Sequence, residues 1–341
     1  MISIVVPIHN EEELIERLHQ EVCAAMGRTE EAWEVVYVDD GSRDRSPELL
    51  RAIAERDQRA SVVELSRNWG HQAAVTAGLS VAGGDAVVLM DGDLQDPPAV
   101  IPDMIAEWRA GAEVVVATRR SRAERGLRGR LFPLFYTVLG WLSDFPIPLS
   151  AGIFGLLDRR AVDAIIGLSE TNRYLPGLRA WVGYKSAVVY YDRAQRAGGE
   201  PKQTLLKLIK YALDAIFSFS YKPLRLSLAL GLVFSSAAIV LGMAYVAMWM
   251  LGTELTGQPL MPGSATIIAA ILLLGGVQLI ATGILGEYIG RIYDEVKRRP
   301  LFIISDVHRS ADVIPAENAF SPSDSASRHL HPVRVGLEKS A

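Results

Sequence analysis

The chain has 341 residues, half of them hydrophobic, and its 35 basic and 39 acidic residues give a formal net charge of −4. This charge gives no overall case for nucleic-acid binding. Cys23 is the only cysteine, which excludes an internal disulfide and is consistent with a reducing cytoplasm. Most of the apolar excess lies between about residues 226 and 290, while the first part of the chain has the composition of an ordinary α/β protein.

Short β-branched runs alternate with amphipathic segments in this first part. Strands are predicted at residues 2–7, 34–38, 61–66, 85–90 and 113–117. Helices are predicted after Asn10, which is placed to cap the first one, and at 46–57 and 72–82. The first run is expected to be a strand and not a signal peptide, because it lacks a basic segment and a cleavage site. The alternation predicts an α/β fold with a mostly parallel sheet, in which ligands bind at the carboxyl ends of the strands.

Polar clusters follow three of these strands, at residues 7–11, 39–42 and 91–95. Each cluster alone is equally compatible with a turn or a helix cap, but three on one edge of a sheet favour a shared site. Residues 66–71 should line the same edge. Of these, His71 is expected to start a helix or to pack, because nothing pairs it with a nucleophile.

The third cluster contains two carboxylates and an amide at alternate positions, Asp91, Asp93 and Gln95. They follow a buried strand that Pro97 prevents from continuing. Alternate residues at a strand end point the same way, so the three oxygen-bearing groups should converge. Mg²⁺ and Mn²⁺ prefer such ligands and commonly bridge a carboxylate to a diphosphate. A solvated acidic turn is the alternative, and the position directly after a buried strand favours the metal site.

A basic segment follows the fifth strand. Its arginines are Arg119, Arg120, Arg122, Arg125, Arg128 and Arg130. A solvated loop is the alternative, but guanidinium groups suit phosphate oxygens and the segment follows a strand on the predicted site edge, which favours an anionic partner. Residues 132–142 then predict an apolar helix too short to span a bilayer.

The C-terminal part predicts a membrane anchor. Residues 203–220 indicate an amphipathic helix for an anionic membrane surface, and 226–250 and 265–289 are each long and apolar enough to span a bilayer. A buried helical hairpin is the alternative, disfavoured by the length and uniformity of the runs. Basic residues flank the pair while the connecting loop carries only Glu254, so both termini are expected in the cytoplasm. A short strand is predicted at 301–304, followed by a disordered tail from about 310.

These readings divide the chain into four predicted parts. They are a catalytic domain at 1–200, an amphipathic juxtamembrane helix at 201–225, a transmembrane hairpin at 226–290 and a cytoplasmic C-terminal segment at 291–341.

Five motifs together resemble a known family. They are Pro7-Ile8-His9-Asn10-Glu11, Val38-Asp39-Asp40-Gly41-Ser42, Ser66-Arg67-Asn68, Asp91-Gly92-Asp93-Leu94-Gln95-Asp96-Pro97 and Gly286-Glu287-Tyr288-Ile289-Gly290-Arg291-Ile292-Tyr293. The pattern resembles family 2 glycosyltransferases, and within them the branch that moves a sugar from a nucleotide onto a polyprenyl phosphate, such as dolichol-phosphate mannose synthases and bactoprenol glucosyltransferases. The resemblance covers residues 1 to about 304. It implies a GT-A fold, a UDP- or GDP-linked sugar donor, a divalent Mg²⁺ or Mn²⁺ and an inverting transfer.

The resemblance also implies roles for individual residues. The nucleotide would be held by Pro7, His9, Glu11, Asp39, Asp40, Ser42 and Asp91, with Asp40 on the base. Asp91 and Asp93 would be the catalytic residues and, with Gln95, the metal ligands. Arg119 and Arg130 would bind the acceptor phosphate, and Ser150 and Gly152 would lie near the sugar.

The chain departs from the family pattern after the fifth strand. Relatives commonly read Asp-Ala-Gly-Asp-Phe-Arg where this chain has Ser150-Ala151-Gly152-Ile153-Phe154-Gly155, and Gly-Glu-Ser-Lys-Tyr where it has Gly199-Glu200-Pro201-Lys202-Gln203. The identity of the donor sugar is therefore left open.

The expected function is that of a membrane-anchored, metal-dependent hexosyltransferase acting on polyprenyl phosphate at the cytoplasmic face of the inner membrane, in cell-envelope glycan synthesis. A homo-oligomer is left open. A processive polysaccharide synthase is the rival enzyme, disfavoured because the sequence has no Gln-x-x-Arg-Trp motif and two spans make a poor polymer channel. An inactive scaffold that retains nucleotide binding is the rival from another class, and the intact Asp91, Asp93 and Gln95 argue against it.

Overall fold

The computed structural model describes residues 1–119, 151–191, 222–250 and 264–309. Within these ranges the strands form one sheet of eight. They are β1 (Ile2–Ile8), β2 (Trp33–Asp39), β3 (Ala60–Leu65), β4 (Ala86–Leu89), β5 (Val114–Arg119), β6 (Ala151–Asp158), β7 (Ser186–Tyr191) and β8 (Ile304–Arg309).

The strand order is β7-β5-β6-β4-β1-β2-β3-β8. Strands β1 to β4 pair in parallel, as do β5 and β7. Strand β6 runs antiparallel between β4 and β5, and β8 runs antiparallel along the free edge of β3. The predicted mostly parallel α/β sheet is confirmed, and the five predicted strands are present with ends within two residues of the expected ones.

Helices cover both faces of the sheet. They are α1 (Ile15–Met26), α2 (Ser46–Arg56), α3 (His71–Val81), α4 (Ile101–Arg109), α5 (Arg159–Gly167) and α6 (Leu175–Trp181). Alternate strand residues feed two cores: Ile4 and Tyr37 pack under α1, α2 and α4, whereas Val5 and Val36 pack under α3 and α5. Because both faces are buried, the central strands are continuous apolar runs, which is why their positions are readable in the sequence.

The predicted helix cap at Asn10 is wrong. Helix α1 begins at Ile15 with Leu14 in the capping position, and Asn10 lies in the preceding loop with a φ of +54°. Asn10 instead joins two strand-end loops: its side-chain Oδ1 accepts from the backbone N–H of Arg43 at 2.8 Å, and its backbone N–H donates to Ser42 Oγ at 3.0 Å. Asparagine tolerates the left-handed region better than most residues, which suits it to this loop.

Five helices and strands of the first two hundred residues were not predicted as secondary structure. Helix α4 carried a usable signal, because Ile101, Met104 and Ile105 recur at helical spacing and are buried. Strand β6 was read only as a site motif, although Phe154 and Leu156 are fully buried in it. Helices α5 and α6 and strand β7 complete the part of the fold that follows β6.

The C-terminal part contains helices α7 (Lys222–Met250) and α8 (Ser264–Lys297). Their segments Leu224–Ala244 and Leu273–Lys297 are long and apolar enough to cross a membrane, and they are not buried against the rest of the protein. The predicted spans at 226–250 and 265–289 lie within these helices. The expected strand at 301–304 is displaced along the chain: β8 begins at Ile304 and pairs with β3 as far as Arg309.

Several expectations fall outside the described residues. They concern the arginines from Arg120 to Arg130, the helices at 132–142 and 203–220, Ser150 and the tail from about 310.

Candidate active site

The loops after β1, β2 and β3 meet at the carboxyl edge of the sheet. The His9 ring lies between Asp40 and Asn68: Nδ1 is 2.9 Å from the Asp40 carbonyl oxygen, and Nε2 is 3.1 Å from the Asn68 amide nitrogen. A carbonyl only accepts, so Nδ1 carries the hydrogen and Nε2 accepts from the amide. The three loops are therefore joined through one imidazole.

Asp40 holds the loop after β3 from the other side. Its Oδ1 accepts from the backbone N–H of Trp69 at 2.7 Å and its Oδ2 from that of Gly70 at 3.0 Å. Both carboxylate oxygens are thus engaged by the loop, and the Arg67 guanidinium stacks 3.9 Å from the centre of the Trp69 ring. The Asp40 carboxylate therefore fixes the loop after β3, and the stacked Arg67 and Trp69 side chains belong to that loop.

The tight packing of these loops requires a glycine at position 41. Gly41 has a φ of +63°, and a Cβ there would lie 2.5 Å from backbone atoms of Arg67 and Asn68. The neighbouring Asp39 is buried, and its Oδ1 accepts from the N–H of Ser42 at 3.2 Å. Burial raises the pKa of the Asp39 carboxyl, against the opposing effect of the Ser42 hydrogen bonds.

The other residues of the first cluster take their places from β1 and α2. Pro7 lies within β1, opposite Val38 of β2. The backbone N–H of Glu11 donates to Ser46 Oγ, the first residue of α2, at 3.1 Å. The first two predicted clusters therefore lie side by side.

The third cluster is linked to the first two through α3. His71 begins that helix, as expected, and its Nε2 donates to Asp91 Oδ1 at 2.8 Å. Burial lowers the pKa of His71, but the hydrogen bond and charge of Asp91 outweigh it and the pKa is raised overall. Sequence reasoning missed this pairing, because nothing in the order of residues joins position 71 to position 91.

The side chains of Asp91, Asp93 and Gln95 were expected to converge because alternate residues of a strand point the same way. That premise is wrong, since these residues do not lie on a strand. Strand β4 ends at Leu89, and Leu94 adopts a φ of +54° in the turn that follows. Asp93 Oδ1 accepts from the backbone N–H of Gln95 at 3.1 Å, and the Gln95 side chain is buried. The segment is therefore a turn that the Asp93 carboxylate stabilises, and the Asp91 side chain is partly exposed.

A third carboxylate in this turn, Asp96, was given no role by sequence reasoning. Asp96 is almost fully buried, and its Oδ1 accepts a short hydrogen bond from the hydroxyl of Tyr191 and a longer one from Arg119 Nη2 at 3.4 Å. Arg119 Nε also donates to the Tyr191 oxygen at 3.2 Å. Burial raises the pKa of Asp96, and burial together with the Asp96 bond raises the pKa of Tyr191 to about 12.

This triad fixes Arg119 at the end of β5. Tyr191 ends β7 and packs edge-on against Phe154 of β6, with ring centroids 5.4 Å apart. Asp96 and Tyr191 are 95 residues apart in the chain. Sequence reasoning could not find this pair, because strand β7, which ends at Tyr191, was not predicted.

The departure from the family pattern lies on β6. Gly152 is exposed, and its carbonyl accepts from Arg179 Nη2 at 3.1 Å. Ile153 is buried in the core under α3 and α5. A Cβ at Gly155 would lie 2.4 Å from the Val115 carbonyl oxygen, so a side chain at that position would displace β5. Ser150 and Arg130 lie outside the described residues.

Comparisons with known proteins agree with this architecture. Residues 3–165 match the family described as Glycosyl transferase family 2, and residues 222–292 match the GtrB C-terminal hairpin. An uncharacterized glycosyltransferase of Synechocystis, sll0501, is 41% identical over 90% of this chain and 95% of its own length. The bactoprenol glucosyl transferase of Shigella phage SfII is 41% identical over 90% of this chain and 98% of its own length.

Among solved structures, Staphylococcus aureus TarS 1–349 in complex with UDP-GlcNAc aligns over 64% of this chain and 65% of its own, with 18% identity and a TM-score of 0.43. The relatives sll0501 and the phage SfII protein, by contrast, align over nearly their whole length and over 90% of this chain. The chain belongs to glycosyltransferase family 2, with a GT-A fold and the C-terminal hairpin of GtrB-type members.

Proposed function

We propose that this chain transfers a sugar from a nucleoside diphosphate sugar to a polyprenyl phosphate at the cytoplasmic face of a membrane. The observation that carries the proposal is the combination of a polar strand-end site with two exposed apolar helices in one chain. The names of the bactoprenol glucosyl transferase relatives support the lipid acceptor. Purified protein supplied with a panel of UDP- and GDP-sugars should convert polyprenyl phosphate to a glycosylated lipid, and absence of product with every donor would contradict the proposal.

The nucleotide is assigned to the loops that His9, Asp40 and Asn68 join. Pro7, Glu11, Asp39 and Ser42 lie in or beside these loops. The two carboxylate oxygens of Asp40 are engaged by backbone N–H groups, so Asp40 acts by holding the loop at 67–70 against the base.

Asp40→Ala should therefore weaken nucleotide binding. A hydrogen bond to a charged group contributes about 1.5–3 kcal/mol, so losing this anchor should raise the Kd for UDP or GDP by about ten- to a hundredfold. Asp40→Asn keeps one acceptor oxygen, so its Kd for the nucleotide should lie between those of wild type and Asp40→Ala. Isothermal titration of purified variants measures the effect, and Asp163→Ala on the exposed side of α5 is the control. Equal affinity in Asp40→Ala and wild type would contradict the assignment.

A divalent Mg²⁺ or Mn²⁺ is assigned to Asp91, Asp93 and Gln95. The donor set is compatible, since carboxylate and amide oxygens are what these cations prefer and Asp91 is partly exposed to an incoming diphosphate. Mg²⁺ is usually held by one or two carboxylates plus substrate phosphates, so a complete cage of protein ligands is not required. When bound, the ion would neutralise charge on the diphosphate leaving group. His71 positions Asp91 through the hydrogen bond at 2.8 Å.

The acceptor phosphate is assigned to Arg119, and to Arg130 by resemblance. Asp96 and Tyr191 hold the Arg119 guanidinium at the edge where β5 ends. Asp96 belongs to the same turn as Asp91 and Asp93. An arginine fixed in this way loses little conformational freedom when it binds a phosphate. Gly152 and Ser150 are assigned to the vicinity of the sugar.

Both termini are proposed to lie in the cytoplasm, because Lys222 and Arg225 lie in the first turn of α7 and Arg298 and Arg299 follow the end of α8. In a Cys23→Ser background, a membrane-impermeant thiol reagent added outside intact cells should label Thr256→Cys and not Ser310→Cys. Both positions should be labelled after permeabilisation. The reverse pattern in intact cells would overturn the topology.

A further inference from the structure

A cluster of three potential metal ligands lies between α1 and the turn after α2, apart from the strand-end site. His19 and Cys23 are one helical turn apart on α1, and Asp57 directly follows α2. Their ligand atoms lie within 4.8 Å of one another, and no other such group of histidine, cysteine and carboxylate side chains occurs in the part of the chain that the structure describes.

The separations of these atoms match the edges of a tetrahedral site. His19 Nε2 is 3.3 Å from Asp57 Oδ2, and Cys23 Sγ is 3.7 Å from His19 Nε2 and 3.9 Å from Asp57 Oδ2. With bonds of about 2.0–2.1 Å to nitrogen or oxygen and 2.3 Å to sulfur, tetrahedral zinc ligands are about 3.3 Å apart for a nitrogen–oxygen pair and about 3.6 Å apart for pairs with sulfur. A contraction of a few tenths of an ångström at Cys23 would therefore close the site.

The arrangement differs from a nucleophilic Cys-His-Asp triad. In such a triad the two ring nitrogens serve different partners, one facing the nucleophile and the other the carboxylate. Here the thiol and the carboxylate both face Nε2, while Nδ1 is 3.0 Å from the hydroxyl oxygen of the buried Tyr37. Three ligand atoms this close together suit a cation, and the Tyr37 contact fixes the ring that carries Nε2.

The surroundings of the cluster also suit a bound metal. Arg59 donates to both oxygens of Asp57, from Nε to Oδ1 at 2.9 Å and from Nη2 to Oδ2 at 2.8 Å, and it stacks 4.3 Å from the centre of the Trp33 ring. Metal-binding carboxylates and imidazoles are commonly oriented by such outer hydrogen bonds. A carboxylate oxygen has lone pairs enough to accept from Arg59 and to bind a metal as well. The cluster opens onto a surface depression lined by His19, Arg56, Asp57, Gln58 and Arg59, which leaves room for a fourth ligand from solvent.

We propose that His19 Nε2, Cys23 Sγ and Asp57 Oδ2 form a site for a divalent transition metal of the zinc type, with solvent as the fourth ligand. Nitrogen and sulfur donors select Zn²⁺ or Co²⁺ over Mg²⁺, so this site is chemically distinct from the one assigned to Asp91 and Asp93. On binding, the thiol releases its proton to solvent. The metal joins α1 to the turn between α2 and β3.

Cobalt titration of the purified full-length protein tests the site directly. Cys23 is the only cysteine, so a sulfur-to-cobalt charge-transfer band can arise nowhere else in the chain. Metal-free protein should develop this band with one equivalent of Co²⁺, accompanied by tetrahedral d–d absorption, and one equivalent of Zn²⁺ should displace it. The band should be absent in Cys23→Ser, and the affinity should fall at least about tenfold in Tyr37→Phe, which removes only the outer hydrogen bond.

His19→Asn and Asp57→Asn should weaken the band more strongly than Tyr37→Phe. His308→Asn on the edge strand β8 is the matched control, because His308 is paired with Glu64 and is not one of the three cluster residues, and it should bind Co²⁺ like wild type. Circular dichroism checks that each variant is folded. A folded wild type that gives no charge-transfer band would overturn the proposal. The proposal would also be overturned if folded Tyr37→Phe and either folded His19→Asn or folded Asp57→Asn bound Co²⁺ with the affinity of wild type. The band would then come from Cys23 alone and not from a three-residue site.

Discussion

Asp93→Asn should lower turnover by at least about a hundredfold, a loss of roughly 2.7 kcal/mol of transition-state stabilisation. The substitution keeps the size of the side chain and its acceptor for the N–H of Gln95, so the turn after β4 should persist. What it removes is the negative charge that binds a divalent cation. Initial rates of glycolipid formation measure the loss.

Asp103→Asn is the matched control for this prediction, because it makes the same chemical change at an exposed position in the first turn of α4. It should leave turnover unchanged. EDTA should abolish wild-type activity, and excess Mg²⁺ or Mn²⁺ should restore it. Full activity of wild type in EDTA, or of Asp93→Asn in Mg²⁺, would show that no cation is held at this position.

Much of the sheet is readable from sequence because its central strands are buried on both faces. Ile4, Val36 and Val88 stand in uninterrupted apolar runs, and the polar residues after those runs necessarily meet at one edge once the strands are parallel. Strand β6 is different. Glycines interrupt it at 152 and 155, and it inserts antiparallel between β4 and β5, an arrangement that depends on partners far away in sequence.

The local polar clusters of the candidate site were also predictable from the sequence, but the contacts between distant parts of the chain were not. Residues next to one another in the chain, such as Asp39 and Asp40, were identified with their edge of the sheet. Contacts that close over long sequence separations were not, and Asp96 with Tyr191 and His71 with Asp91 are the examples. Local geometry also overrode the strand pattern at Leu94, where a left-handed residue turns the chain away from extended alternation.

The proposed acceptor explains how the chain can do without a general base. A sugar hydroxyl must lose its proton during attack, whereas a phosphate monoester with a second pKa of about 6 is mostly a dianion at pH 7. Its oxygen can form the new bond to the anomeric carbon while the bond to the nucleoside diphosphate breaks, and the leaving group takes that electron pair. No proton needs to be removed. The buried Ile153 and the cramped Gly155 on β6 are compatible with such a mechanism.

A dianionic nucleophile must still be held in place. Within the part of the chain that the structure describes, Arg119 is the residue to which we assign the binding of the acceptor phosphate. Arg119→Ala should raise the KM for polyprenyl phosphate by about ten- to a hundredfold, the value of a charge-assisted hydrogen bond of about 1.5–3 kcal/mol, and leave the KM for the donor unchanged. Tyr191→Phe keeps the packing on Phe154 but removes one of the two groups that hold the guanidinium and leaves Asp96, so it should raise the same KM by less. Arg109→Ala, an exposed arginine at the end of α4, is the control.

The pH dependence separates acceptor binding from base catalysis. In wild type, kcat/KM for the acceptor should rise with pH through about 6, because the dianion replaces the monoanion as the nucleophile. The same rise should persist in Arg119→Ala at lower absolute rates, since the titrating group belongs to the lipid and not to the protein. If instead a carboxylate outside the turn at 91–96 proves essential for turnover without affecting the binding of either substrate, the protein supplies a base and the phosphate is not the self-sufficient nucleophile proposed for it.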